Sequence, residues 1–127
     1  MKAGRANPKD YVYIRGIDSA RDEAFSSAKP FGKAKLGKEQ IFWKKGLKWY
    51  CADFAQMVRV FRRVAEVDTR VCCGNTNFDI QMLVFIMFDG KELEVTVGDS
   101  LLRHEAEALY DELKAAHPEL HYGKPEA

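Results

Sequence analysis

The chain has 127 residues, of which 46% are hydrophobic and 31% charged, the balance of one globular domain around one core. Twenty basic against nineteen acidic side chains leave a net charge of +1, so no overall field selects nucleic acid or a membrane as partner. The longest apolar run, Met82 to Phe88, is far below the roughly 20 residues of a spanning helix, and no transmembrane segment is expected.

The opening "MKAGRANPKD" has no apolar stretch of the kind a signal peptide needs, and residues 1–9 read as a loose arm. Three cysteines, an odd number, in a chain long enough to build a core unaided point to a reducing, cytoplasmic setting. "YVYIRG" (11–16) reads as a short strand or an extended packing segment. "DSARDEAFSSA" (18–28) suits a short helix capped by Asp18, with Ala20, Ala24 and Ala28 on one face. Pro30 and Gly32 end it, which makes 1–31 an N-terminal extension. From there the period becomes two. "KAKLG" (33–37) is a first strand. "QIFWKKGLKWYC" (40–51) is a hairpin turning at Lys45-Gly46, with Ile41, Trp43, Leu47, Trp49 and Cys51 facing inward.

"MVRVFRRV" (57–64) alternates again, with Val58 and Val60 opposed to Arg59, Phe61 and Arg63. "RVCCG" (70–74) reads as a brief strand ended by Gly74-Asn75. "DIQMLVFIMFDGKELEVTV" (79–97) is the clearest hairpin, with Asp89-Gly90 as a two-residue turn and Leu93, Val95 and Val97 inward. Its first arm is apolar on both sides: Ile80, Met82, Val84, Ile86 and Phe88 line one, Leu83, Phe85 and Met87 the other. A second surface must cover it, either a helix of the chain or a second copy in a homodimer. Leu83, Phe85 and Met87 are therefore the candidate interface. "SLLRHEAEALYDELKAAH" (100–117) is an amphipathic helix with Ser100 as cap and Leu102, Ala106, Leu109 and Leu113 as its stripe. Residues 118–127 read as a polar tail.

About seven antiparallel strands followed by one amphipathic helix define a mainly β, α+β domain over residues 32–117. "GKEQIFWKKGLKWYCADFAQMVRVFRRV" and "FDGKELEVTVGDSLLRHEAEALYDEL" give that order a resemblance to the pleckstrin-homology-like (PH-like) fold, and within it to small bacterial PH-like proteins without an assigned function. The resemblance implies a partly open barrel capped by the C-terminal helix. It also implies a non-catalytic scaffold, used in the family for phosphoinositides, peptides or self-assembly. The lipid-binding members set basic residues, an arginine among them, on their first two strands. Here Lys33, Lys35, Lys38, Lys44, Lys45 and Lys48 occupy that region, with no arginine between Arg21 and Arg59. That departure speaks against specific phosphoinositide recognition, because lysine offers a point charge and arginine a fork.

The candidate chemistry is thin. Zinc sites want close ligand pairs, whereas Cys72 and Cys73 are adjacent, Cys51 stands alone, and His104, His117 and His121 come late in the chain. Neighbouring strand residues face opposite ways, so the cysteines read as small hydrophobes, and neither metal nor other cofactor is expected. No nucleophile elbow, zinc-protease motif or phosphate loop occurs, and an enzyme is not expected. Residues 29–48 hold seven lysines against one acid, while 89–127 hold ten acids against four bases. The lysines read either as a solvated surface or as a site for an anionic ligand, membrane surface or acidic partner, and the opposed charges also suit head-to-tail self-association. "RVFRRV" interleaves basic and aromatic residues as nucleic-acid binders do, but edge strands carry charge merely to stay soluble. A near-neutral domain with no RNA-binding motif argues against nucleic acid. Two functions follow as expectations: protein–protein interaction or self-association, and alternatively anion binding through Lys33–Lys48.

Overall fold

The computed structural model describes residues 7–71 and 74–123. Cys72 and Cys73 lie outside the described residues, as do the first part of the expected arm and the last four residues of the tail. Nine strands form among those described. Sheet one contains β1 (Val12–Tyr13), β2 (Lys29–Phe31), β3 (Ala34–Leu36), β4 (Gln40–Lys45) and β5 (Lys48–Asp53), in the antiparallel order β1-β5-β4-β3-β2. Sheet two contains β6 (Met57–Val71), β7 (Gly74–Met87), β8 (Glu92–Asp99) and β9 (His121–Tyr122), in the order β8-β7-β6-β9, with β9 parallel to β6. Two helices, α1 (Ser19–Ser27) and α2 (Arg103–Ala116), complete the fold. The mainly β, α+β class is as expected, and neither sheet closes on itself among the described residues.

The two sheets and α2 share one core. Ile41, Trp43 and Tyr50 enter it from sheet one, Val60, Leu83, Phe85, Leu93 and Val95 from sheet two, and Ala106, Leu109 and Leu113 from α2. Three of the four residues of the predicted α2 stripe, Ala106, Leu109 and Leu113, are thus in the core, while Leu102 is only half-buried at the N-cap. The N-cap position of α2 is Leu102, without a side-chain hydrogen bond, and not the expected Ser100, because residues Ser100–Leu102 form a 3-10 turn ahead of the helix. Leu83, Phe85 and Met87 are 0%, 0% and 4% exposed. Their cover is intramolecular, so in the folded chain they form core and not a surface for a second copy. The opposite face of β7 carries a smaller cluster of Phe61, Met82 and Val84. Arg63 stands beside Phe61, 5.4 Å from the ring centroid, and reaches Glu92 at 3.3 Å and Glu94 at 3.6 Å across the sheet. Charged side chains thereby lie over an apolar row.

Sheet one differs from expectation by one residue. Lys45 pairs with Lys48, so the turn is Gly46-Leu47, and Gly46 takes the positive φ (65°) that the first position of a II′ turn requires. A one-residue slip exchanges the faces of a strand. Tyr50 and Ala52, not Trp49 and Cys51, therefore join the main core, and Leu47 points out at 96% exposure. The outer face is buried as well, because α1 lies on it. Phe25 of α1 meets Phe42 and Trp49 edge-on at 5.3 and 5.0 Å, and Tyr13, Ala28, Phe42 and Cys51 make a second cluster there. Residues 10–31 are thus part of the domain and not a separate extension. Asp18 caps α1 as predicted, accepting from the N–H groups of Ala20 and Arg21.

β6 and β7 form one continuous ladder to the Val71↔Gly74 pair, so "RVCCG" is not a strand of its own and Gly74-Asn75 begin β7. β7 is joined to β8 by the three-residue loop Phe88-Asp89-Gly90. There Gly90 has φ 87° and the Met87 N–H donates to the Lys91 carbonyl at 2.9 Å. The expected two-residue turn is one residue short. After α2 the chain folds back. Leu120 is buried, β9 pairs with Arg59 and Val60, and the Tyr122 hydroxyl donates to the carbonyls of Leu113 (2.9 Å) and His117 (2.6 Å). Residues 118–123 are a strap and not a free tail.

Candidate functional site

Antiparallel order puts the β2–β3 and β4–β5 turns at the same end of sheet one. The Lys44 N–H donates to the Lys33 carbonyl at 2.8 Å, which ties the two turns together. The sheet thereby gathers Lys33, Lys44, Lys45 and Lys48 around Leu47, all five exposed. None of these four lysines has an ion-pair partner among the described residues. The other two predicted lysines do not join them. Lys38 lies in the β3–β4 loop, at the opposite end of β4. Lys35 is half-buried on the outer face, its ammonium 4.0 Å from the Phe25 ring centroid and 3.4 Å from the Phe25 carbonyl. Its charge is spent on holding α1. Lys29 is likewise engaged, with Glu112 of α2 at 2.7 Å.

Leu47 was hidden from the sequence reading by the one-residue slip. The signal that finds it is "KKGLK": a glycine best placed first in a two-residue loop leaves the next residue at the tip. The tip is therefore a fully exposed leucine ringed by four ammonium groups. It offers apolar contact together with attraction for anions.

A groove of about 750 Å³ lies at the other end of the same hairpin, beside the Gln40↔Asp53 pair that closes the β4–β5 ladder opposite Lys45↔Lys48. Its lining includes Phe54, Met57, Val58, Phe88 and Leu120, with Glu39, Asp53 and Glu119 at its polar edges. Phe88 is 74% exposed. Position 54 is fixed by the 3-10 turn Phe54–Gln56, whose Phe54 N–H donates to the Glu39 carbonyl at 2.9 Å. The His117 ring packs on Phe54, tilted by 40° with ring centroids 4.2 Å apart, and its Nδ1 is 2.9 Å from Glu119 Oε1. The Glu119 carboxyl is held below its ordinary pKa, first by its own backbone N–H and then by His117. Val58, Phe88 and His117 are named in the sequence for other reasons, but nothing there brings these residues together as a site, because strap, 3-10 turn and β7–β8 loop come from three distant segments.

A wider cleft of about 1020 Å³ runs between α1, the β3–β4 loop and α2, with alanines and charges of both signs along it. No group of three or more His, Cys, Asp or Glu side chains converges in metal-binding fashion among the described residues. No helix among them is long and apolar enough to cross a membrane. Compared with protein-family models, curated proteins and solved structures, the chain matches none.

Proposed function

We propose that this chain is a non-catalytic protein-interaction domain of the PH-like type that docks through the β4–β5 tip onto an acidic partner. The PH-like reading is supported by the order of elements: β2 to β5 in one sheet, β6 to β8 in the next, then α2 packed against both sheets. β1 and β9 add one strand to the edge of each sheet. The observation that carries the docking role is Leu47, 96% exposed amid lysines that have no ion-pair partner among the described residues. An exposed leucine is ordinary alone, but one held at the head of a rigid hairpin inside a ring of like charge is the composition of a contact point.

Self-association through the Leu83, Phe85 and Met87 face is not supported, because these side chains are core. Anionic lipid is the second reading, favoured by the same lysines. The test measures retention of the chain on immobilised polyglutamate and on phosphatidylserine-containing vesicles, at low and high salt. Binding to polyglutamate that weakens with salt and is abolished in Lys44→Glu/Lys45→Glu/Lys48→Glu is expected. Retention by vesicles alone moves the reading to a membrane surface, and no binding to either removes it.

A further inference from the structure

The tip and the groove are complementary to each other. One presents Leu47 with Lys44, Lys45 and Lys48. The other presents an apolar floor with Glu39, Asp53 and Glu119 around it. We propose that the tip's partner is a second copy of this chain, with Leu47 of one copy seated against Phe54, Val58 and Phe88 of the next and the three lysines facing the three carboxylates. This rests on the docking role given to the tip above and names the acceptor.

Three observations carry it. Leu47 and Phe88 are among the few large hydrophobic side chains left well exposed, at 96% and 74%, and each finds cover in the other's surface. The groove, about 750 Å³, falls within the roughly 300–1,000 Å³ of typical ligand sites, ample for the head of a two-residue turn. The charges oppose in sign, with Lys44, Lys45 and Lys48 of the tip's four lysines set against Glu39, Asp53 and Glu119, and neither lysine nor arginine is among the groove's lining residues, which include His117 and His121. The two surfaces differ and stand at opposite ends of one hairpin about 17–20 Å long. The contact is therefore heterologous: each copy retains a free tip at one end and a free groove at the other, and the assembly grows as a chain or closes as a ring.

The test is sedimentation of the full chain over a range of concentrations at low and high salt, followed by mixing of two variants. Wild type is expected to rise above the 14.5 kDa monomer mass with concentration and to fall back at high salt. Leu47→Asp and Glu39→Lys/Glu119→Lys each remain monomeric alone. Mixed in equal amounts they form a two-membered complex and nothing larger, because one contributes an intact groove and the other an intact tip. Phe88→Ser is a second groove variant with no charge change, and circular dichroism confirms that every variant is folded. Wild type that stays monomeric at all concentrations overturns the proposal, as do folded variants that fail to combine while wild type associates. If wild type stays monomeric yet still binds polyglutamate through its lysines, the docking role survives and the self-partner is withdrawn.

Discussion

Tyr13 sits on β1 with its ring between Phe25 and Phe42, at 5.1 and 5.5 Å, and its hydroxyl donates to Asp22 of α1. The other oxygen of Asp22 accepts from the Gly16 N–H at 2.8 Å, so one carboxylate ties β1, the following turn and α1 together. Burial first, and then the Asp22 hydrogen bond and charge, push the Tyr13 pKa up to about 12. The proton is bound more tightly in the folded chain than in the unfolded one, where a tyrosine titrates near 10. Its contribution to stability is thus complete below about pH 10 and is lost as pH rises through the folded value. Tyr13→Phe is expected to cost about 1.5–3 kcal/mol at neutral pH, the range for a hydrogen bond to a charged group. Between pH 10 and about 12 the gap between wild type and variant should close. Urea denaturation at a series of pH values reads both effects, and a gap unchanged at high pH would remove the assignment. The same scale separates the lysines: Lys35, packed on an aromatic ring, is a structural residue, whereas Lys44 has the same charge and no ion-pair partner among the described residues.

At the scale of elements the decisive contact is where the sheets meet. The Lys33 N–H donates to the Val97 carbonyl at 2.8 Å, and this requires Gly32. The residue has φ 60°, and a Cβ on it would stand 2.5 Å from the Val97 oxygen. Gly46 has nearly the same φ, 65°, with nothing within 4 Å of the corresponding position. Gly46→Ala should therefore cost only the left-handed strain, about 1–2 kcal/mol. Gly32→Ala should cost clearly more, because the backbone junction must also open. Equal losses in urea denaturation would show that the close approach constrains nothing.

The same elements explain what was legible in the sequence. The α2 stripe, the α1 cap and the inward Leu93, Val95 and Val97 follow from local periodicity. The strand β2 was missed because Pro30 reads as a breaker, yet β2 is a sheet edge, where a proline removes no ladder bond. The tip's lysines were visible as a cluster. Which of them stay free was not, because Phe25 and Glu112 reach Lys35 and Lys29 only through tertiary packing. The groove draws on segments far apart in the chain and had no local signature at all.

Across the whole molecule, the division expected after residue 31 is absent: sheet one carries a second, smaller apolar cluster on its outer face, and α1 with β1 is what covers it. Phe42 and Cys51 are 0% and 5% exposed on that face, and burial raises the Cys51 thiol pKa, which suppresses the reactive thiolate. A chain beginning at Lys29 would lose Tyr13, Ala24, Phe25 and Ala28 from this cluster and leave Phe42, Cys51 and Trp49 facing water. The apolar surface thus uncovered belongs to several large side chains, each worth roughly 1.5–3 kcal/mol when fully buried. That is a large share of the roughly 5–15 kcal/mol that a domain has in total. With Cys72 and Cys73 replaced by serine in both chains, so that Cys51 alone reports, a thiol reagent should label the full chain slowly and the shortened chain fast. The shortened chain should also bind a hydrophobic dye and unfold at lower temperature. Slow labelling and an unchanged melting temperature would mean that β2 to α2 stand without α1, and that the helix merely rests on a sheet already protected by its own charged side chains.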